Sequence, residues 1–528
     1  MARVVIQRRV VPEQLHQVTS PRDDALVAER LRDDAGGGDP VDRSSAGNSA
    51  VLTFEGTSGP FSTWVRTVRI DGDMITQEIE YSSPLGPWRP LFVLPLRALV
   101  RRDTRRSSSP WWMPPDRLDA RATRSLAAAC TLAVIGGFLT GLLSQVLTFM
   151  AGEFHVDIIG QTRVLLVVRL GTLLTIAGTV LADRLGRRPV VLGSYLIGAV
   201  TAAATAVAPG LGAAVGLQLL SRSIALAGVV LLPVIAAEEL PAGSRAWATG
   251  VLAMAGGLGV GFVLFALPLA DVARPWSWRL IYGLAVLTIP ATVWAGRALP
   301  ETRRYEVLNR QERAGPSAPI SRARLATLGF ALVLINLFVT PVSQLQNQFL
   351  REARGFSSTR ISLFIIMTSL LAGATIVIGG ELADRRSRHL TATIGLLGLT
   401  IGNALMFSTR GWPMWAFSTV GSAVGALVIP SIGVLNAELF PTSRRGSASG
   451  VLNTAAVGGA VVGLLVAGEL IDRWGFGPTM WLLGVGPILV ILLLRGLPET
   501  ARIPLEDLNP GDVSIDEQEP DGTRVDEQ

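Results

Sequence analysis

The chain has 528 residues, 49% of them hydrophobic and 17% charged, with a mean hydropathy of +0.43. Soluble domains carry roughly a quarter of their residues as charges, so this balance excludes an ordinary soluble enzyme and points to a lipid bilayer. The formal charge is +6, but the arginines are scattered between apolar runs rather than gathered with aromatics, which excludes a nucleic-acid-binding domain.

Residues 1–48 are rich in charge, Gly, Ser and Pro and read as mostly disordered, apart from a short strand at Val4–Val11. They lack the continuous apolar core of a secretory signal, so the first membrane span is expected to direct insertion. Residues 49–112 read as a small α+β module facing the cytoplasm. Three runs of alternating polarity, AVLTFEG, STWVRTVRID and DMITQEIEY, read as strands, and PWRPLFVLPLRALVRRD as an amphipathic helix. This stretch resembles the C-terminal part of START-like ligand-binding domains, in which a strand pair leads into a long helix.

Twelve apolar runs follow, each long enough to span a bilayer as a helix of about 20 residues. Six lie within 123–300, as an N-terminal bundle, and six within 325–508, as a C-terminal bundle; a central loop at 301–324 joins them and an acidic, disordered tail fills 509–528. The single cysteine, Cys130, sits in the first run as a packing residue. An even number of spans puts both ends on one side. The segments holding Arg184, Arg187 and Arg188, then Arg297 to Arg324, then Arg385 to Arg388, then Arg444 and Arg445 make that side the cytoplasm. The reading is an all-α multi-pass protein of the cytoplasmic membrane, a monomer with both termini inside.

The two bundles are copies of one another. ADRLGRR from Ala182 recurs as ADRRSR from Ala383, AEELPAGSR from Ala237 as AELFPTSRR from Ala437, GGLGVG from Gly256 as GGAVVG from Gly458, and PET from Pro300 at Pro498. Four matches in order at nearly one offset mark a tandem duplication in parallel orientation.

TVLADRLGRRPVVL and GELADRRSRHL, both following the second span of their half, resemble the loop motif of the major facilitator superfamily, Gly-x-Leu-Ala-Asp-Arg-x-Gly-Arg-Arg/Lys. Thr179 replaces the leading Gly of the first copy, and Ser387 the later Gly of the second. ELFPTSRRGSASG, LPETRRYEVL and LPETARIPLEDL resemble the sugar-porter and metabolite:proton symporter branches. The resemblance implies a 12-helix fold of two six-helix bundles and alternating access to a small organic solute such as a sugar or organic acid. No cofactor is expected.

A conformational gate is expected at Asp183, Arg184, Arg187 and Arg188, their copies Asp384, Arg385 and Arg388, and the duplicated pairs Glu238 with Arg245 and Glu438 with Arg445. Charged residues inside a bilayer are costly, which makes Arg169 and Arg222 candidates for holding an anionic group of the solute. Asn336 and Gln344 make the seventh span polar and complete the candidate solute contacts. GxxxG spacings at Gly257–Gly261 and Gly459–Gly463 are expected to bring helices close. The first span has no acidic residue, so proton coupling rests on the family resemblance alone. No metal site is expected, and HExxH, GxSxG and paired intramembrane aspartates are absent from the sequence. An efflux carrier for drugs or lipophilic metabolites, and a non-transporting membrane sensor regulated by the N-terminal module, stand as the alternatives.

Overall fold

The structure is a computed structural model. It describes residues 2–9, 18–24, 26–32, 49–71, 74–101, 110, 112–155, 164, 168, 171–271, 276–311 and 320–509. The chain divides into two compact units, Met1–Ala128 and Ala129–Gln528.

The smaller unit holds five strands, β1 (Ala2–Arg9), β2 (Ala28–Leu31), β3 (Ser49–Ser58), β4 (Thr63–Asp71) and β5 (Met74–Ser82), in one sheet of order β1-β5-β4-β3-β2. Every neighbouring pair is antiparallel. The three expected strands are β3, β4 and β5, and pairing of Asp71 with Met74 leaves a two-residue connection at the expected turn. The expected amphipathic helix is α1 (Arg89–Arg101). The expected strand at Val4–Val11 lies at Ala2–Arg9 as β1, and the disordered reading of the rest of 1–48 is corrected for the residues described, since β2 comes from it. Alternation explains β1, which buries Val4 beside Ile79 and Tyr81. Charge pairing explains β2. Glu29 is buried but accepts from the Arg66 guanidinium at 2.6 Å and from the Trp64 indole at 2.8 Å. Arg66 also donates to the carbonyls of Val18 and Ser20, both at 2.9 Å, which ties a charged segment to the sheet.

In the larger unit the apolar runs are helices: α2 (Ala120–Glu153, begun in the smaller unit), α3 (Leu174–Leu185), α4 (Arg187–Thr205), α5 (Leu211–Glu239) and α6 (Arg245–Ala266). The sixth run is α7 (Trp278–Gly283) continued by α8 (Thr288–Ala298), and the short α9 (Arg303–Gln311) follows it. The second half repeats the series as α10 (Arg322–Gln348), α11 (Ser358–Arg385), α12 (Arg388–Ser408), α13 (Trp412–Gly425) with α14 (Val428–Glu438), α15 (Arg445–Trp474), and α16 (Phe476–Leu483) with α17 (Val485–Leu494); α18 (Leu505–Leu508) ends it. Among the described residues, 10 segments are long and apolar enough to cross a membrane. Twelve are expected. The other two are helices also, but α3 is described over only 12 residues and α4 opens on two arginines and ends in VTAAAT, small side chains that carry little hydropathy.

The halves meet where α3 packs on α15 and α6 on α11, two contacts related by the duplication, since α11 is the copy of α3 and α15 of α6. Glycines set the close approaches, though not all at the expected register. Gly459 and Gly463 press α15 against α10, where any Cβ would overlap the Val333 and Leu337 carbonyls. In the N-terminal half Gly259 does this against Val134 of α2, with Gly137 facing Gly256, whereas Gly257 and Gly261 have no described residue beside them. The GxxxG reading of Gly257–Gly261 is therefore corrected: the packing face of α6 runs through Gly256 and Gly259, one side of the helix away. Exposed apolar residues such as Phe265, Leu370 and Leu465 cover the outside of the unit, as a lipid-facing surface requires.

Candidate functional site

Asp183 stands in the last turn of α3 and Asp384 in the last turn of α11. Each carboxylate reaches across to the other half and seats on the start of a helix there. Asp183 accepts from the backbone N–H of Gly446 at 2.9 Å and of Ser447 at 2.7 Å, and from the Ser447 hydroxyl. Asp384 accepts from the N–H of Ala246 at 3.1 Å and of Trp247 at 2.7 Å. Orphan N–H groups and the positive end of the dipole make a helix start a good seat for a carboxylate. Here α15 and α6 are capped by the opposite half, so parting the halves uncaps both.

Around these seats lie four arginines and four carboxylates, a balanced set. Arg445 reaches Glu238 across the halves at 2.8 Å, and its copy Arg245 reaches Glu438 at 3.3 Å. Within the halves Arg187 lies 3.1 Å from Glu238 and 3.6 Å from Asp183, while Arg388 pairs with Glu438 and lies 3.1 Å from Asp384. Arg187 also donates to the Thr442 carbonyl, and Arg388 to that of Ala242 at 3.3 Å, both again across the halves. Every ion pair of one copy has its partner in the other. Removing such charges from water is costly, and the arrangement holds because each charge faces an opposite one, while Arg245 and Arg445 donate their Nε–H to the Leu240 and Phe440 carbonyls at 3.3 and 3.2 Å.

The expected pairs Glu238 with Arg245 and Glu438 with Arg445 are corrected, since each glutamate takes the other half's arginine. Eight of the eleven expected gate residues are thus brought together. Arg184, Arg188 and Arg385 are not: all three are exposed, with Arg188 donating to the Gly296 carbonyl at 2.9 Å and Arg385 pairing with Glu381 at 3.0 Å, each within its own half. The two departures from the motif are explained. Gly186 has φ 103°, a left-handed conformation, and any Cβ there would strike the Glu301 carboxylate. Ser387 has φ −166°, open to any residue, and its hydroxyl caps α12 by accepting from Leu390 N–H at 3.1 Å. Thr179 fits where its copy Gly380 touches Trp247 because the facing residue on α15 is Gly450.

Two members of the site were missed. Glu301, in the first PET, accepts from the N–H groups of Arg187 at 3.0 Å and Arg188 at 3.2 Å, and Glu499, in the second, from those of Arg388 at 3.1 Å and His389 at 3.3 Å. Each caps the third span of its own half from over a hundred residues away, and the repeated PET was the signal. Thr302 and Thr500 follow them into the cluster, Thr302 donating to Glu238 at 2.6 Å and Thr500 accepting from Arg388 at 3.0 Å.

The two caps differ in charge balance. Burial raises Glu301 above the ordinary carboxylate range despite its backbone donors. Burial opposes the charge on Glu499 too, but the Ser387 hydroxyl and the N–H groups of Arg388 and His389 outweigh it and hold the carboxyl below that range. A carboxyl lowered by folding stabilises above its unfolded pKa, and that contribution fades as pH falls through the folded value. The melting-temperature gap between Glu499→Gln and the parent is therefore expected to be widest near neutrality and to close in acid below about pH 4. Glu301, raised by folding, has the opposite sign: its ionisation weakens the fold as pH rises through the folded value, so the gap for Glu301→Gln is expected to change the other way. Parallel gaps in thermal scans would refute the distinction.

The expected solute contacts fare differently. Arg169 lies outside the described residues. Arg222 is half-buried midway along α5, its charge reaching the buried phenol of Tyr282. Asn336 donates to the Leu332 carbonyl of its own helix at 2.9 Å, and Gln344 is exposed near the far end of α10.

Residues 325–517 match the family model described as Major Facilitator Superfamily. The fold agrees: the proton:xylose symporter XylE bound to 6-bromo-6-deoxy-D-glucose superposes with a TM-score of 0.64 at 16% identity, covering 74% of this chain and 98% of that one. The family match lies in the C-terminal half of the chain, and the likeness to XylE shows the fold. A multidrug resistance protein MdtG of Dickeya zeae is 38% identical over 108 residues, 20% of this chain and 26% of the relative, so this chain spans about a quarter of that relative's length. A Haemophilus influenzae protein named for metabolite transport is 24% identical over 306 residues, 52% of this chain and 69% of that one. The loop motif stands in both halves of this chain, and its two aspartates make reciprocal bonds across them.

Proposed function

We propose that this protein carries a small organic solute, such as a sugar or organic acid, across the cytoplasmic membrane by alternating access. The clasp at Asp183 and Asp384 serves as the closed cytoplasmic gate. The observation that carries this reading is the reciprocity of the site: each half caps a helix of the other and each half's arginine neutralises the other's buried glutamate. Such a site has two self-consistent arrangements, bonded and parted, which a carrier that opens to one side at a time requires. The arginine-rich segments at the clasp end support a cytoplasmic face for that end and for both termini. The likeness to XylE supports a solute of sugar size and coupling to protons. Arg222, half-buried in mid-span, would hold an anionic group or attend a proton.

Uptake of radiolabelled sugars and organic acids into proteoliposomes, with and without an imposed proton gradient, tests the proposal; saturable flux is expected, and its absence across such a panel rejects the solute class. The MdtG segment of similarity favours a second reading, export of a lipophilic compound, which predicts gradient-driven movement of drug-like dyes in the opposite direction. Flux of any kind excludes the sensor alternative.

A further inference from the structure

α1 carries apolar residues on two sides, and the module uses one. Leu99 and Val100 are buried and Leu96 packs beside them under the sheet, with Phe92 against Trp112 at 6.2 Å between rings. Leu91 and Leu94 point elsewhere, 68% and 75% exposed. With the exposed Ala98 they follow the three-then-four spacing of a single helix stripe. Arg89, Arg97 and Arg101 are exposed along the same short helix. Leucines bare to solvent among arginines are the pattern of a helix lying in a membrane interface.

Its depth can be read from a neighbouring bond. Trp88, just before α1, donates its indole N–H to the Ala127 carbonyl at 3.0 Å. Ala127 is seven residues into α2, which begins at Ala120, or roughly 10 Å along it. The span Ala120–Leu147 has 28 residues, roughly 42 Å of helix, which matches a bilayer of about 40–45 Å with its headgroups around a core of about 30 Å. Ala127 therefore stands close to the upper edge of the hydrocarbon, where Trp side chains settle and where an interfacial helix rests about 5–10 Å deep.

We propose that α1 is a membrane-surface helix of the inner leaflet, with Leu91 and Leu94 set into the acyl layer and Arg89, Arg97 and Arg101 holding anionic lipid headgroups. The leaflet is the occupant of the exposed face, because the helix is bonded to a membrane span at the depth where that leaflet begins. The inference rests on the span and, for the choice of leaflet, on the cytoplasmic orientation proposed above, and holds whatever the solute.

The test uses the full chain in a Cys130→Ala background, with nitroxide labels on Leu94→Cys or, as a reference, Val51→Cys on β3, which is 61% exposed. The proteins are reconstituted in phosphatidylcholine vesicles with or without phosphatidylglycerol. Collisions with a water-soluble nickel chelate are expected to be several-fold rarer at position 94 than at 51, and collisions with oxygen more frequent. Phosphatidylglycerol is expected to deepen the shielding at 94, and Arg89→Gln/Arg97→Gln/Arg101→Gln to abolish that deepening. Equal chelate access at both positions overturns the proposal. So does spin–spin broadening at 94 that disappears on dilution with unlabelled protein, which would make a second copy the occupant. Indifference to phosphatidylglycerol overturns the role given to the arginines.

Discussion

Glu238→Gln is expected to be the most damaging conservative change in the membrane unit. Gln preserves the shape but leaves Arg187 and Arg445, both fully buried, facing one another without the carboxylate that neutralises them. Breaking a buried ion pair from one side costs about 3–5 kcal/mol, enough to lower the melting temperature sharply and reduce the yield of folded protein. Arg445→Met alone should be similarly harmful, whereas Glu238→Gln with Arg445→Met should recover part of the loss, because fewer charges are then stranded. This double-mutant cycle, read by thermal scans in neutral detergent, gives the coupling across the halves. Glu438→Gln should repeat the result through Arg388 and Arg245. If Glu238→Gln lies within about 0.5 kcal/mol of the parent, as harmless surface changes do, the clasp is not a buried network. In proteoliposomes the same variant is expected to slow solute flux, since the carrier loses its clasped state.

Gly259→Leu and Gly257→Leu form the second pair. The two positions are two residues apart in one glycine-rich stretch and look interchangeable in the sequence. At 259 any side chain meets the backbone of α2 at Val134 and Phe138, which can yield only if two whole helices separate. Forcing bulk into a packed contact costs about 1–3 kcal/mol even where side chains can adjust, and more is expected here, seen as lost monodisperse protein on size exclusion. At 257 nothing among the described residues lies within reach and Leu should leave stability unchanged. Equal tolerance at both positions would show that α6 is turned differently against α2.

Much of the gate was legible because duplication wrote it twice. Asp183 and Asp384, or Glu238 and Glu438, recur at one offset with their arginines, and a buried-site function follows from charges that survive in both copies. What the repeat did not reveal was which groups cross between halves. Arg187 and Arg188 are neighbours in a motif, yet Arg187 turns inward to Glu238 and Arg188 outward to its own half, because successive residues at a helix start point in different directions. The PET glutamates were visible as repeats, but their use as caps depends on the chain returning over a hundred residues later. The glycine register on α6 was misread since spacing gives a face of a helix without saying which neighbour that face meets. In the smaller unit the alternation at the start of the chain was legible as a strand, but the polar composition after it suggested disorder, whereas one buried Arg66–Glu29 pair is enough to order β2.

Reciprocal capping has a consequence for each half in isolation. The C-terminal half owns both parts of the joint: a carboxylate, Asp384, and a helix start at Gly446 and Ser447 that wants one. Two such halves related by a two-fold axis would satisfy each other's bare helix ends as the fused copies now do. A truncated chain beginning near Arg322 is therefore expected to elute as a homodimer, a form in which a protein half this length could have worked before its two copies were joined.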